Sequence, residues 1–256
     1  MIRSLTPVVL SLLSLPLAGV ASAADFQVDN AVYAGGDERP SVETTTVFVG
    51  QVVYDFLESP PETIIFDRQA GQFTLIDRAR RVRSVISLRE VLDVVHQRQR
   101  RAAEADSAYL RFLARPELDP QLDPTTGEVS LSSRWLSYRA EPIEPESPEV
   151  PAQYRSFADA YGQINTILNP RAIPPMARMM LNAELAARGV IPRRIELTLR
   201  PRGKSDAQAI RLRSEHRYKP TVSPDARERV AAAQRRIDSY PLVSLQQYRH
   251  AERAEQ

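Results

Sequence analysis

Three consecutive runs of sequence decide the fold: VFVGQVVYDFLES (47–59), PETIIFDR (61–68) and QAGQFTLIDRARRVRSVI (69–86). Each run is rich in β-branched and aromatic residues, which favour β-strands. Asp-Arg and Gly turn signals interrupt them about every ten residues, as in an antiparallel meander. Gly71 suits the left-handed position of a hairpin turn. The stretch from Glu43 to Ile86 therefore predicts consecutive hairpins, with Asp67 and Asp77 at their corners.

A helix is predicted directly after the meander. Ser87 and Glu90 have the spacing of a capping box, in which each side chain bonds the other residue's backbone N–H. Apolar residues then recur at helical spacing until Pro116 ends the pattern. We expect one helix of about 26 residues that packs on the open face of the sheet.

The remainder of the chain alternates between further strands and helices. Alternating apolar residues predict strands at 129–131, 135–139, 195–201 and 209–218. Helical stripes predict helices at 154–168 and 176–188, and two more after Ser223 and Ser244. An acidic, proline-rich loop at 141–151 divides the chain into two segments. The predicted class is α+β: a curved, mostly antiparallel sheet of about eight to ten strands, shaped as an unclosed barrel and covered by several helices.

The first 23 residues have the three parts of a secretory signal peptide. Arg3 gives a positive start, residues 5–20 are apolar, and Ala21-Ser22-Ala23 is a cleavage site. The short apolar stretch, broken by Pro16, argues against a membrane anchor. The chain has no cysteine, which excludes disulfides and thiol chemistry and suits a bacterial exported protein. We expect residues 24–256 to form a single domain, periplasmic or extracellular, with no integral membrane span after cleavage.

The charge balance gives little indication of a nucleic-acid partner. The chain has 34 basic and 32 acidic residues, for a net charge of +2, and its arginines are scattered. Nucleic-acid-binding proteins instead concentrate positive charge on one face. Since export makes such a partner less accessible as well, we predict none.

Recognisable catalytic and cofactor motifs are absent from the sequence. There is no GxSxG elbow, Walker loop, GxGxxG loop or HExxH pair. The three histidines, His96, His216 and His250, are far apart, so we expect them to have structural or surface roles and to form no metal site. We also expect no cofactor and no catalytic residue.

A set of apolar and aromatic residues has two interpretations. They line an apolar cavity between the meander and the helix, or they fill the core, which is the more common outcome. These candidate ligand-lining residues are Tyr54, Phe56, Phe66, Phe73, Leu75, Tyr109, Phe112 and Trp135.

The sequence pattern of residues 47–92 resembles that of a known family. The segments Phe66-Asp67-Arg68, Gly71–Asp77 and Arg81-Val82, followed by a helix, are similar to the periplasmic lipoprotein-carrier and outer-membrane lipoprotein-sorting (LolA/LolB-like) family. The resemblance implies an unclosed antiparallel barrel covered by helices, an apolar cavity for acyl chains, and a lipid or lipoprotein partner. It covers about a fifth of the chain, and the helices at 154–188 depart from it. The chain also resembles exported planctomycete-type bacterial proteins that have no assigned activity.

Three functions are compatible with these features. We expect an exported, non-enzymatic protein that binds a lipid or another apolar ligand between sheet and helix. One alternative is a hydrolase that uses carboxylates at strand ends, such as Asp55, Asp67 and Asp77. However, an Asp at the end of a strand usually stabilises a turn. A structural or interaction protein of the cell envelope is another alternative. An apolar pocket under the helix would favour the binding protein, and two carboxylates in an open cleft would favour the hydrolase. A filled core with neither feature would favour the structural or interaction protein.

Overall fold

The computed structural model describes residues 23–169, 172–201 and 208–250, so all but the last residue of the expected signal peptide lies outside it. Eleven strands are present: β1 Phe26–Ala34, β2 Val42–Val49, β3 Val52–Leu57, β4 Glu62–Asp67, β5 Gln72–Asp77, β6 Val82–Ser87, β7 Pro120–Leu122, β8 Val129–Ser132, β9 Leu136–Ile143, β10 Ile191–Leu199 and β11 Ile210–Lys219. The helices of these ranges are α1 Leu88–Ala103, α2 Ala108–Ala114, α3 Val150–Leu168, α4 Met176–Ala187, α5 Pro224–Ser239 and α6 Leu245–His250. None of them is both long and apolar enough to span a bilayer.

All eleven strands belong to one sheet, in the order β6-β5-β4-β3-β2-β1-β11-β10-β9-β8-β7. Every neighbouring pair is antiparallel. The strands β2 to β6 form the predicted meander, which confirms the α+β class with one strand more than expected. Because β1 pairs with β11, the first and last strands of the described residues lie side by side at the centre of the sheet.

The two edges of the sheet are protected in different ways. The edge strand β6 exchanges backbone hydrogen bonds with the C-terminal segment, since the Arg83 N–H donates to the Pro241 carbonyl at 3.0 Å and the Val243 N–H donates to the Arg83 carbonyl at 2.8 Å. The other edge, β7, is only three residues long and begins with Pro120. Short edges and prolines limit pairing with further strands.

Both faces of the sheet carry helices. On the first face, α1, α3 and α6 pack on β1–β6 around Phe48, and α2 and α4 pack on β8–β11 around Leu181. On the second face, α5 covers β2–β5 through Val230 and its neighbours. The second face of β1, β11, β10 and β9 has no helix over it in the described part of the chain and carries rows of charged side chains. The meander is therefore apolar on both faces, while the central strands are amphipathic.

The Asp-Arg turns are hairpin corners, as predicted. The Asp67 carboxylate accepts hydrogen bonds from the N–H groups of Gln69 and Ala70 at 2.9 and 2.8 Å. Asp77 accepts from the Arg80 N–H at 2.8 Å in the next turn. These carboxylates fix turn geometry by bonding the backbone two and three residues on.

Gly71 and Arg81 occupy equivalent positions, four residues after Asp67 and Asp77. Both are left-handed, with φ of 59° and 56°. A left-handed backbone conformation costs a non-glycine residue roughly 1–2 kcal/mol. We therefore expect Gly71→Ala to lower the free energy of unfolding by about 1 kcal/mol. Arg81→Gly should raise it by up to about 1 kcal/mol, because the relief exceeds the entropic cost of glycine. Urea unfolding measures both effects.

Arg81→Ala is the matched control for this pair. It loses the contact of the guanidinium with the Tyr240 ring, 5.7 Å from the centroid, as the glycine variant does. Only glycine relieves the backbone. Equal stability of the alanine and glycine variants would show that the left-handed conformation carries no cost at this turn.

The prediction of a single long helix after the meander is wrong. The segment forms two helices, because α1 ends at Ala103 and Ser107 is the extended N-cap of α2. The Arg111 side chain bonds the carbonyls of Ala105 and Asp106 at 2.7 and 2.9 Å, which satisfies backbone groups at the break. The capping box of Ser87 and Glu90 at the start of α1 is present as predicted.

The acidic loop is shorter than predicted. Residues 141–143 belong to β9, and α3 already begins at Val150. Pro151 lies in the first turn of α3, where its missing N–H costs nothing. The connection between strand and helix is therefore only residues 144–149.

Candidate functional site

The candidate site is a cavity of about 270 Å³ between the first face of the sheet and α3, here called the α3 cavity. Strands β1, β2, β3 and β11 form its floor, and α3 with the start of α4 forms its wall. Val42, which is 36% exposed, is part of the lining, so the cavity reaches the protein surface. The lining residues are Asn30, Val32, Val42, Thr44, Thr46, Asp55, Tyr154, Phe157, Ala158, Tyr161, Gly162, Arg178, Ser214 and His216.

The wall and the floor of the α3 cavity differ in chemistry. The helix contributes mostly apolar surface, from Phe157, Ala158 and the ring of Tyr161. The sheet contributes a polar network, defined as Ser214, His216, Asn30, Thr44, Thr46 and Asp55. A mostly apolar pocket with a few convergent polar groups is the usual form of a small-molecule site.

Strand register brings the polar network together. Asn30 on β1 lies directly opposite His216 on β11 and opposite Thr44 on β2. Thr46 lies opposite Asp55 on β3. Because side chains alternate between faces along a strand, all of these residues point to the α3 side.

Hydrogen bonds link the polar network into one chain. The ring of His216 lies with Nε2 3.0 Å from the Ser214 hydroxyl and Nδ1 2.8 Å from the Asn30 amide oxygen. The Asn30 amide donates to the hydroxyls of Thr44 and Thr46 at 3.0 and 2.9 Å. Thr46 then donates to Asp55 Oδ1 at 2.6 Å.

The two ends of the network have shifted ionisation. Burial raises the pKa of Asp55 to about 6, against hydrogen bonds from Thr46 and Thr44 that favour its charged form. Burial, aided by the positive charge of Arg178, lowers the pKa of His216 to about 3. His216 is therefore a neutral imidazole at neutral pH, and Asp55 changes its charge near pH 6.

Arg178 is the cation of the α3 cavity. Its Nε donates to Asn182 Oδ1 at 2.9 Å, and Asn182 donates to Asp159 Oδ1 at 2.7 Å. This chain holds the guanidinium between α4 and α3. An arginine fixed beside an apolar pocket is suited to bind a carboxylate or another anionic group.

Two further spaces are less suited to a specific ligand. A groove of about 980 Å³ lies on the second face, and its charged residues are largely ion-paired, as with Arg193–Glu141 at 2.6 Å and Lys219–Asp29 at 2.6 Å. A cavity of about 170 Å³ lies among α1, α2 and the α3–α4 connection; none of its described lining residues belongs to a strand, so it is not the space between sheet and helix that the sequence predicted. It is smaller than the α3 cavity and has no network like that of His216.

The structure places the eight candidate ligand-lining residues in three groups. Phe66, Phe73 and Leu75 lie in the core under α1 and α3, and Tyr54 and Phe56 lie on the opposite face under α5. The third group is Tyr109 and Phe112 of α2 together with Trp135; all three are half-buried, and the Phe112 and Trp135 ring centroids are 5.0 Å apart. None of the eight is among the described residues that line the α3 cavity.

The other candidate residues are also dispersed. His96 is exposed on α1, and the side chain of His250 lies outside the described residues. Asp67 and Asp77 form turns, which leaves Asp55 as the carboxylate of the α3 cavity. Within the described ranges, no group of three or more His, Asp or Glu side chains is placed to hold a metal ion.

Sequence reasoning missed Ser214, Asn30 and Arg178 as site residues. One signal was available, because Asn30, Thr44, Thr46, Ser214 and His216 are polar residues at positions of their strands that face the covered side. A polar residue on the buried face of a strand needs a partner and often marks a site.

No protein-family model and no curated protein sequence matches the chain.

Proposed function

We propose that the protein binds a small amphiphilic ligand in the α3 cavity, with its apolar part against α3 and its polar head on the sheet. The observation that supports this is the combination of an apolar wall with the hydrogen-bonded floor around His216 and the fixed cation Arg178. This keeps the expected apolar-ligand function but moves it from the helix after Ser87 to α3. Export and a lipid or lipoprotein source for the ligand remain part of the proposal.

The size of the α3 cavity limits the ligand. Its volume of about 270 Å³ is slightly below the range of roughly 300–1,000 Å³ typical of sites for drug-sized molecules. A short acyl chain or a single aromatic ring fits such a space, and longer chains must extend through the opening near Val42. Arg178 favours an anionic head, so a medium-chain carboxylate is the simplest ligand that meets both conditions.

Filling the α3 cavity is expected to abolish ligand binding. Ala158→Phe places a ring in the space that the apolar tail would occupy, so octanoate should bind the parent protein and not this variant. Isothermal titration calorimetry measures the affinity directly. Octanoate should also bind more tightly than octanol, because only the carboxylate gains a charge-assisted bond from Arg178.

Ala152→Phe is the matched control, since Ala152 is exposed on the same helix. This variant should bind octanoate as the parent does. Equal binding by both phenylalanine variants would place the ligand elsewhere. No binding of octanoate, octanol or an anionic fluorescent fatty acid by the parent protein would overturn the proposal.

The alternative of a carboxylate-dependent hydrolase has less support. Glycoside hydrolysis needs two carboxyl groups that face one substrate bond, and Asp55 is the one carboxylate among the lining residues of the α3 cavity. The third candidate, a purely structural role, does not account for the cavity or for its polar floor.

A further inference from the structure

The polar network contains the arrangement of an activated serine. Ser214 and His216 are two residues apart on β11 and point to the same face, with the hydroxyl oxygen 3.0 Å from His216 Nε2. On the other side of the ring, His216 Nδ1 is 2.8 Å from Asn30 Oδ1. A hydroxyl, an imidazole and a third group that orients the imidazole form the common unit of nucleophilic catalysis.

The hydrogen bonds fix the direction of proton donation in this unit. The Asn30 amide nitrogen donates to Thr44 and Thr46, so its oxygen is turned to His216 and can only accept. The proton of the neutral imidazole is therefore on Nδ1, and Nε2 carries the free lone pair. The Ser214 hydroxyl must donate to Nε2, which is the tautomer and direction that a general base requires.

The neighbours of His216 favour its basic, uncharged form. Asp55, Arg178 and Tyr154 are the ionisable groups around it, and the Tyr154 oxygen lies 3.3 Å from Nδ1. The positive charge of Arg178 acts on the His216 ring. Asp55 is linked to the ring only through Thr46 and Asn30. The imidazole is therefore uncharged before the reaction, with the lone pair of Nε2 directed at the Ser214 hydroxyl, while burial and the positive charge of Arg178 make it a weaker proton acceptor.

We propose that Ser214 is the nucleophile of a carboxylic-ester hydrolase, with His216 as its general base, Asn30 as the residue that positions the imidazole, and Arg178 as the cation that stabilises negative charge. This inference rests on the proposed binding function, because the acyl group of the ester occupies the α3 cavity. It adds a reaction to a site for which the sequence predicted binding alone.

The reaction has two balanced steps. Ser214 Oγ attacks the ester carbonyl carbon while its proton passes to His216 Nε2, and Arg178 faces the negative charge that forms on the carbonyl oxygen. The carbonyl re-forms, the alkoxide leaves with the proton from Nε2, and the acyl group remains on Ser214. Water, deprotonated by the same Nε2, then releases the carboxylic acid and restores the serine.

Esters with a short acyl chain test the inference. The purified protein should hydrolyse 4-nitrophenyl butyrate, and Ser214→Ala and His216→Asn should each lower kcat by about 100-fold or more, since each removes a reacting group. Asn30→Ala should lower kcat with little change in KM, because the Asn30 amide is already engaged by His216, Thr44 and Thr46 and its loss mainly disorients the base. Ser137→Ala, on the neighbouring part of the sheet, should leave the rate unchanged.

Covalent labelling gives a second measurement that needs no variant to fold. Diethyl 4-nitrophenyl phosphate should release 4-nitrophenolate and leave a diethylphosphoryl group on Ser214, located by peptide mass spectrometry. A protein that binds octanoate but neither hydrolyses the ester nor acquires this group would overturn the inference while leaving the binding function intact. Failure to bind octanoate, together with labelling of Ser214, would instead overturn the binding proposal.

Discussion

Replacing Phe48 with alanine is expected to lower the free energy of unfolding by about 4 kcal/mol, the usual cost of removing a fully buried phenylalanine side chain. Phe48 has no exposed surface. Its ring stacks on Phe26 of β1, with 3.9 Å between centroids, and meets the edge of Phe157 of α3 at 5.8 Å. One side chain thus joins β1, β2 and α3, so the loss includes aromatic contacts as well as buried area.

Phe112→Ala is the matched control for this prediction. It makes the same chemical change in a half-buried ring that contacts Trp135 beside α2. Because the neighbourhood of Phe112 is open to solvent, water can fill the space, and the loss should be well below that of Phe48. Urea unfolding measures both variants, and a cost for Phe48 no larger than that for Phe112 would contradict the role given to the three-ring contact.

Local signals in the sequence were sufficient to predict most of the strands. The corners at Asp67 and Asp77 bond nearby backbone groups, so a few residues determine each turn, and the meander follows from them. The capping box at Ser87 is local in the same way. The continuous apolar runs around Tyr54 and Ile65 also indicated burial on both faces, since a half-buried strand would alternate. In the structure Tyr54 and Phe56 face α5, on the opposite side of the sheet from Phe66 and Phe73, so these residues share no cavity.

The candidate site was not predictable by the same means. Asn30 and His216 are 186 positions apart and meet only because β1 pairs with β11. Pairing between the first and last strands depends on the whole topology, which no local pattern specifies. The alternation of β11 does place Ser214 and His216 on one face, so half of the site was visible in the sequence. The break before Ser107 was missed because the apolar stripe continues across it.

The pH dependence of stability tests the buried ends of the polar network. The pKa of Asp55 is raised to about 6 in the folded protein, from an ordinary value near 3.8. Between these values the folded protein holds a proton that the unfolded chain has released. The contribution of Asp55 to stability is therefore greatest below about pH 4 and falls by about 3 kcal/mol as the pH rises through 6.

His216 has the opposite effect. Its pKa falls to about 3 in the folded protein, from an ordinary value of 6.5. Between these values the unfolded chain binds a proton that the folded protein excludes. The contribution of His216 is complete above about pH 6.5 and is lost as the pH falls, by about 5 kcal/mol in all.

Single substitutions should therefore reveal two opposed slopes that cancel in the parent protein between about pH 4 and 6. Asp55→Asn keeps an acceptor for Thr46 and removes the Asp55 slope, so this variant should lose about 2–3 kcal/mol relative to the parent when the pH falls from 6 to 4. His216→Asn keeps a donor to Asn30 and should gain a similar amount over the same interval. Urea unfolding at a series of pH values gives both curves.

Two exposed residues of α1 supply the matched controls. Asp93→Asn and His96→Asn make the same chemical changes at exposed positions, so these variants show the effect of the change of side chain alone. If the stability curves of the Asp55 and His216 variants run parallel to the parent curve, the two groups titrate as they do in the unfolded chain. The burial that keeps the His216 imidazole neutral at mildly acidic pH would then be contradicted, because His216 would be protonated there.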